Sequence, residues 1–171
     1  NETSNIFYKT IQESFDDANE GETLFIFNGV YTEAPTLTTS GLTIIGESVD
    51  GVIIDASFTT GYGFTISADA NNVTIQNLTL YGPATTESDL TYSKYKTFPV
   101  YGFKVSNVSN FTMENVKILD SDRTGLDFNG VDGIILDNVS VSNTMYGNGI
   151  SFTDSRNIQI TNIYTDGNSW G

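Results

Sequence analysis

The chain has 171 residues, and its seven Lys and Arg face 21 Asp and Glu, so the formal net charge is −14. This charge argues against nucleic acid and anionic membranes as partners, because both require clustered basic side chains. The sequence has no Cys and no His, which excludes disulfides, thiolate metal sites, the Ser-His-Asp triad and almost all zinc chemistry. No apolar run is long enough for membrane insertion. The acidic balance fits a secreted or cell-surface protein.

The N-terminal part predicts one short helix before the first strands. The stretch TIQESFDDANEG spaces its apolar residues as a helix does and ends in glycine, so we predict a helix over 10–20. TLFIFNGVYTE then has the pattern of a buried strand and a turn, and GLTIIGE that of a first coil strand. We interpret the helix as a cap over one end of a solenoid, because terminal repeats need a polar outer surface.

The rest of the chain repeats. Four strand-like segments, VTIQNLTL, FTMENVKI, IILDNVSV and IQITNIYT, each carry an asparagine in the same place: Asn77, Asn115, Asn138 and Asn162. The last three asparagines are separated by 23 and 24 residues, and GFKV, GLDF and GISF recur with the same spacing. A period of this length that holds three short strands predicts a parallel β-helix, in which each coil stacks on the previous one.

This period also predicts the domain organisation. We expect one all-β domain over 1–171, with about five coils over 41–171 and a loop insertion at 83–101 where the asparagine spacing lengthens to 38. We also expect the natural chain to continue beyond Gly171, because the open edge of a last coil needs a partner.

The asparagine column has two explanations, which are compatible. An inward Asn at the corner between two strands can hydrogen-bond to the Asn of the next coil, which forms a ladder. Asn also tolerates the left-handed backbone conformation that a tight corner requires.

The order TIQESFDDANEGETLFIFNGVYTE, LTIIGES and VTIQNLTL resembles the start of right-handed parallel β-helix proteins of the pectate-lyase-like superfamily. Those proteins open with a capping helix and a Gly-Val-Tyr turn, followed by coils that bear Asn. The resemblance implies a right-handed, single-stranded parallel β-helix that binds substrate along its first sheet, beside the third-turn loops. It implies no single activity, because the superfamily includes lyases, hydrolases, esterases, epimerases, phage tailspikes and non-catalytic surface proteins.

On that frame, GFKV, GLDF and GISF belong to the first sheet, and Lys104 and Asp127 point outward one coil apart. The adjoining loops are rich in amides, charges and aromatic rings, which suit sugar hydroxyls and the C–H faces of sugar rings. The predicted substrate-binding residues are Lys94, Tyr95, Lys96, Tyr146, Asn148, Asp166, Asn168 and Trp170.

The same region holds the candidate catalytic residues: Lys104, Asp122, Arg123 and Asp127. A uronate lyase would use Lys or Arg as its base, and a hydrolase would use the carboxylates of Asp122 and Asp127 as a pair. The residues identify no particular cofactor, and Ca²⁺ is the candidate metal ion, held by Asp120 and Asp122. Each residue also has a structural explanation: Lys104 and Asp127 as an ion pair, Asp120 and Asp122 as turn residues, and Arg123 as a partner of either.

The catalytic motifs of the superfamily are absent: there is no Asp-Pro-His, no Gly-Asp-Asp and no Arg-x-Pro-x-x-Arg. The sequence therefore favours an extracellular, carbohydrate-associated β-helix domain that binds a polysaccharide or oligosaccharide. Two alternatives stay open. One is a polysaccharide lyase or hydrolase. The other is a structural module that pairs through its open C-terminal edge, as a homodimer or end to end.

Overall fold

A computed structural model describes residues 1–84 and 100–170. Helix α1 (Ile11–Asp17) precedes the strands, which in chain order are β1 (Thr23–Ile26), β2 (Gly29–Tyr31), β3 (Thr36–Leu37), β4 (Thr43–Gly46), β5 (Val52–Asp55), β6 (Tyr62–Ile66), β7 (Val73–Tyr81), β8 (Tyr101–Ser106), β9 (Ser109–Leu119), β10 (Thr124–Asn129), β11 (Asp132–Ser142), β12 (Ile150–Thr153), β13 (Arg156–Thr161) and β14 (Tyr164–Asp166). Most of the predicted insertion at 83–101 lies outside the described residues.

The strands form two parallel sheets that enclose one apolar core. Sheet A contains nine strands and follows the order β1-β4-β7-β9-β11-β13, while sheet B has five in the order β12-β10-β8-β6-β3. Val116 lies beside Val139 in sheet A, and Lys104 lies beside Asp127 in sheet B. Residues separated by 23 along the chain are therefore neighbours in adjacent coils. The predicted parallel β-helix is confirmed.

The coils differ from the prediction in one respect. Where three short strands were expected, β7, β9 and β11 run continuously through their asparagines, so each of these coils has one long bent strand and one strand of sheet B. The bend lies at the asparagine, where φ is 59° in Asn77, 53° in Asn115 and 52° in Asn138. A single residue in the left-handed region turns the strand without ending its pairing with the next coil.

Left-handed residues recur at four places in each of the last three coils. The sets are 107/110/115/120, 130/133/138/143 and 154/157/162/167, and every member is Asn, Asp or Gly with positive φ. These are the residue types that enter this conformation at low cost, whereas other L-residues pay about 1–2 kcal/mol. The asparagine column at Asn115 is thus one of four columns of corner residues.

The asparagine side chains form a ladder, but outside the core. Asn115 Nδ2 donates to Asn77 Oδ1 over 3.1 Å, and Asn138 Nδ2 donates to Asn115 Oδ1 over 2.8 Å. Asn162 instead donates to Asp137 Oδ1, over 3.0 Å. The expected inward orientation is wrong, because Asn77 and Asn115 are only half-buried and Asn138 and Asn162 are exposed. Apolar residues on either side of each corner fill the interior instead.

Helix α1 covers the N-terminal end of the core. Thr10 and Glu13 form a capping box, which satisfies the first backbone N–H groups of the helix. Phe15 is buried and packs against Phe64 of β6, with the ring centroids 5.8 Å apart. The Gln12 side chain hydrogen-bonds to both backbone groups of Thr36, which ties the helix to β3. Within the described ranges, no helix has the length and apolar character needed to cross a membrane.

The corner geometry generates a stability prediction at Asn115. Asn115→Ala should lower the free energy of unfolding by about 2 kcal/mol, because Ala adopts the left-handed conformation at a higher cost than Asn and because two side-chain hydrogen bonds are removed. Asn115→Gly should lower it by about 1 kcal/mol, because glycine keeps the backbone conformation at low cost. Urea unfolding followed by circular dichroism measures both. An equal loss of unfolding free energy in the two variants would show that the left-handed conformation of residue 115 contributes nothing to the stability difference.

Candidate functional site

The outer face of sheet B carries two adjacent files of side chains, here called the sheet B wall. Backbone pairing aligns the members of each file across successive coils. The first file is Tyr62, Tyr101, Thr124, Asn148 and Trp170, and the second is Thr36, Thr65, Lys104, Asp127 and Ser151. The predicted outward column of Lys104 and Asp127 is therefore present.

A column of glycines lies beneath the first file. At Gly102 an added Cβ would collide with the Ser121 side chain and the Gly125 carbonyl, and at Gly125 it would collide with Val141. A Cβ added to either glycine would therefore point inward. The side chain of the residue after each glycine also points inward. This break in strand alternation leaves the preceding residue, such as Tyr101, on the outer face. The Gly-Phe and Gly-Leu repeats of the sequence thus determine which side chains reach the wall.

Two tyrosines and two cations meet at the centre of the wall. The rings of Tyr62 and Tyr101 stack with centroids 5.6 Å apart and an interplanar angle of 26°. The Lys104 ammonium lies 5.2 Å from the Tyr101 ring centroid, and the Arg123 guanidinium lies 5.3 Å from the same centroid. Both distances fall within the range of cation–π attraction, so one aromatic ring holds both positive charges in place.

Lys104 also forms an ion pair with Asp127, its neighbour in the next coil. The side chains are 15% and 10% exposed, so water screens this pair less than a fully exposed one. The structural explanation of these residues, an ion pair across two strands, is therefore correct. The carboxylate anchors the ammonium group from one side, while the Tyr101 ring contacts it from another.

Asp122 and Arg123 occupy the turn that leads from sheet A into β10. The Asp122 N–H donates to the Pro83 carbonyl over 3.0 Å, and its own carbonyl accepts from the Tyr146 N–H over 2.9 Å. The Arg123 N–H donates to the Val100 carbonyl over 3.1 Å. These bonds join three successive coils, and Asp122 is buried between them. The turn brings Asp122, Arg123 and Tyr146 to one edge of the wall.

The remaining loop residues separate into two groups. Asn148 and Trp170 form a parallel bridge and lie in the first file of the wall, where Trp170 is exposed. Asn168, by contrast, directs its amide into the fold, where it accepts from the N–H and hydroxyl of Thr144 and donates to the Val141 carbonyl. Asp166 ends β14 in sheet A, away from the two files. Lys94, Tyr95 and Lys96 lie outside the described residues.

The predicted calcium ligands occupy different environments. Asp120 is an exposed corner residue whose Oδ1 accepts from Asn143 Nδ2 over 3.0 Å, whereas Asp122 is buried. Across 1–84 and 100–170, no three acidic side chains gather in a group that could hold a metal ion. Calcium binding by Asp120 and Asp122 therefore stays a prediction, and no part of the site described above depends on it.

The wall residues that the sequence motifs do not predict include Tyr62. The signal was present, because Tyr-Gly-Phe occurs both at 62–64 and at 101–103. The GFKV-type repeat begins at its glycine and therefore does not include the aromatic residue before it. Tyr101 is the last residue of the predicted insertion at 83–101, and its contact with both cations could not be inferred from spacing.

Comparisons with known proteins support the fold. No family model matches the chain, and no curated protein matches it in sequence. Among solved structures, a pectin methylesterase in complex with a hexasaccharide has 18% identity and a TM-score of 0.65, over 99% of this chain and 65% of that one. An alginate lyase from Paenibacillus sp. str. FPU-7 has 13% identity and a TM-score of 0.66, over 94% of this chain and 64% of that one. The A-module of the mannuronan C-5 epimerase AlgE4 from Azotobacter vinelandii has 14% identity and a TM-score of 0.53, over 92% of this chain and 53% of that one.

The chain thus spans between about half and two thirds of the length of these three structures. At such low identity, the similarity establishes the fold and not an activity. Like these proteins, the chain is a right-handed parallel β-helix.

The ion pair of the wall generates a second stability prediction. Asp127→Asn should lower the free energy of unfolding by about 2 kcal/mol, because it leaves the half-buried Lys104 ammonium without its counter-charge. The double variant Lys104→Met/Asp127→Leu should be less destabilised than Asp127→Asn, because no unpaired charge remains. Chemical denaturation of both variants tests this. A double variant as unstable as Asp127→Asn would show that the loss does not come from the unpaired lysine.

Proposed function

We propose that this chain binds an acidic polysaccharide outside the cell, along the sheet B wall and parallel to the solenoid axis. The observation that supports this proposal is the placement of Lys104 and Arg123 against the ring of Tyr101. The chain contains only seven Lys and Arg, and its net charge of −14 repels anions at long range. Tyr101 and its two cationic neighbours, one of which is paired with Asp127, therefore concentrate positive charge and aromatic surface on an otherwise acidic molecule.

Two of the other cations in the described ranges, which also include Lys9, support this distinction. Lys117 pairs with the exposed Asp50 over 2.5 Å, and Arg156 pairs with Asp132 over 2.6 Å. Both lie on sheet A or its turns and make no aromatic contact among the described residues. The combination of a positive charge with a tyrosine face is thus found on the wall, where carbohydrate would need both a charge partner and an apolar surface.

The repeat of the wall suits a polymer. Coils of a parallel β-helix are spaced by about 4.8 Å, which is comparable to the length of one sugar residue in an extended chain. Successive coils can then present equivalent contacts to successive sugars. The solved pectin methylesterase and alginate lyase structures share the fold, and the pectin methylesterase structure contains a hexasaccharide. These similarities support a polysaccharide ligand for the present chain.

Catalysis remains an alternative with weaker support. A hydrolase would require Asp122 and Asp127 to act on one glycosidic bond, but both are buried and Asp127 is bound to Lys104. A lyase would require Lys104 or Arg123 to remove a proton from the sugar, and both cations are held by the Tyr101 ring. Binding accounts for the observed contacts without a proton-transfer step, so we favour it.

The assembly alternative rests on β13. The side chains of β13 are all exposed, including the apolar Ile158 and Ile160. Edge pairing with another strand would cover them. Association through this strand stays a prediction, and it is compatible with binding on the sheet B wall.

The binding proposal predicts a specific pattern of losses. Arg123→Gln and Tyr101→Ala should each weaken binding of oligogalacturonate or oligomannuronate by about tenfold, because each removes an anchor at the centre of the wall. Trp170→Ala and Tyr146→Ala should weaken it as well, with unchanged circular dichroism. Isothermal titration calorimetry measures the affinities, and Lys117→Gln is the matched control, since it removes a cation from sheet A.

Two outcomes would reject the proposal. One is equal affinity for a neutral oligosaccharide of the same length, and the other is equal loss in Lys117→Gln and Arg123→Gln. Ultraviolet absorbance of unsaturated product, recorded with and without Ca²⁺, separates binding from lyase activity. Product formation that disappears in Lys104→Met would favour the lyase alternative over simple binding.

A further inference from the structure

A second surface lies at the N-terminal end of sheet A, away from the sheet B wall. Here the segment before α1 folds beside β1 and β2 and leaves a pocket of about 260 Å³. We call this surface the N-terminal aromatic patch; its apolar members are Ile6, Phe7, Phe25, Phe27 and Tyr31, all of which line the pocket. The proposed function uses none of these residues.

The apolar side chains of this patch are much more exposed than the apolar residues of the core. The Phe7 side chain is 82% exposed and Phe27 is 53% exposed, and the adjacent Val30 is 66% exposed. The rings of Phe7 and Phe27 stack with centroids 6.3 Å apart, and Phe25 contacts Phe27 edge to face at 5.2 Å. Three aromatic rings that contact one another at the surface form a contiguous apolar area, and such areas mark interaction sites more often than scattered apolar residues do.

Carboxylates surround this patch. Glu2 lines the pocket itself. Glu22 accepts from the Asn1 amide over 2.7 Å, and Asp17 accepts from the Tyr8 hydroxyl, both donors being pocket residues. Glu47 accepts from the backbone N–H of Asn28, next to Phe27, over 2.8 Å. These hydrogen bonds fix Glu22 and Asp17 to residues that line the pocket, and Glu47 to the residue that follows Phe27.

The charge on this rim is negative. Hydrogen bonds from Asn19 and Asn1 lower the pKa of Glu22, so this carboxylate is ionised at neutral pH. Lys9 is the basic side chain of the segment that leads into α1. Carboxylates beside exposed aromatic rings are complementary to organic cations, which gain both ionic and cation–π attraction.

We infer that the N-terminal aromatic patch binds a basic peptide segment of a partner protein, in which Lys or Arg alternates with aromatic or branched aliphatic side chains. The apolar side chains contact Phe7 and Phe27, and the basic ones contact Glu2, Glu22 and Glu47. A polyuronate does not fit, because the rim repels it. A second copy of this chain fits poorly, because it carries the same acidic rim and the same net charge of −14.

The test uses a fluorescent synthetic peptide that alternates Arg or Lys with Leu and Trp, and measures binding by anisotropy. The wild-type chain should bind this peptide, and added salt should weaken the binding. Phe7→Ala and Phe27→Ala should each weaken it by about tenfold, the typical effect of losing one aromatic anchor. Phe58→Ala is the matched control, because Phe58 is also a largely exposed phenylalanine but lies in the turn after β5. It should leave the affinity unchanged.

Three results would overturn the inference. The first is equal binding of a peptide in which Glu replaces every Lys and Arg, and the second is no binding by the wild type. The third is sedimentation of the wild type as a dimer that Phe7→Ala converts to a monomer, since a second copy would then be the occupant. Arg123→Gln should bind the peptide like the wild type, so failure of the polysaccharide proposal and failure of this one are distinguishable.

Discussion

The left-handed corner residues are the constraint on which the rest of this structure depends. Each coil must turn several times within about two dozen residues and still keep its strands in register with the next coil. Asn, Asp and Gly at the corners achieve this because they adopt positive φ at low cost. The corner side chains then donate to the previous coil, as Asn138 does to Asn115 and Asn143 to Asp120. The same residues therefore bend the chain and align neighbouring coils.

This alignment gives the sheet B wall its chemistry. Because adjacent coils are in register, Tyr62 stacks on Tyr101, and Lys104 meets Asp127. None of these pairs is close in sequence, and each would be lost if one coil slipped by a single residue. Inside the core, the same register stacks Phe64 on Phe103 and Phe128 on Phe152. The apolar interior and the polar wall are thus two consequences of one repeat.

The repeat made much of the fold predictable from sequence. The spacing of Asn115, Asn138 and Asn162 was sufficient to predict stacked parallel coils, and the outward positions of Lys104 and Asp127 followed from strand alternation. The orientation of the asparagines was not predictable, because alternation does not hold through a left-handed corner. The structural role of Asn168 was also hidden, since its partners Thr144 and Val141 come from the preceding coil. Tyr62 reaches the wall only because Gly63 breaks the strand alternation beside it. The positions of Asp122 and Arg123 depend on turn geometry, which the repeat spacing does not determine.

We propose that register between coils creates one face suited to an acidic polysaccharide. An NMR titration of the isotope-labelled chain with a defined oligouronate tests it most directly, because it maps contacts without any substitution. We expect the perturbed amides to lie in β6, β8 and β10 and in the turn that carries Arg123, with little change in β9 or α1. Perturbations concentrated on the outer face of sheet A, or around the N-terminal aromatic patch, would contradict it.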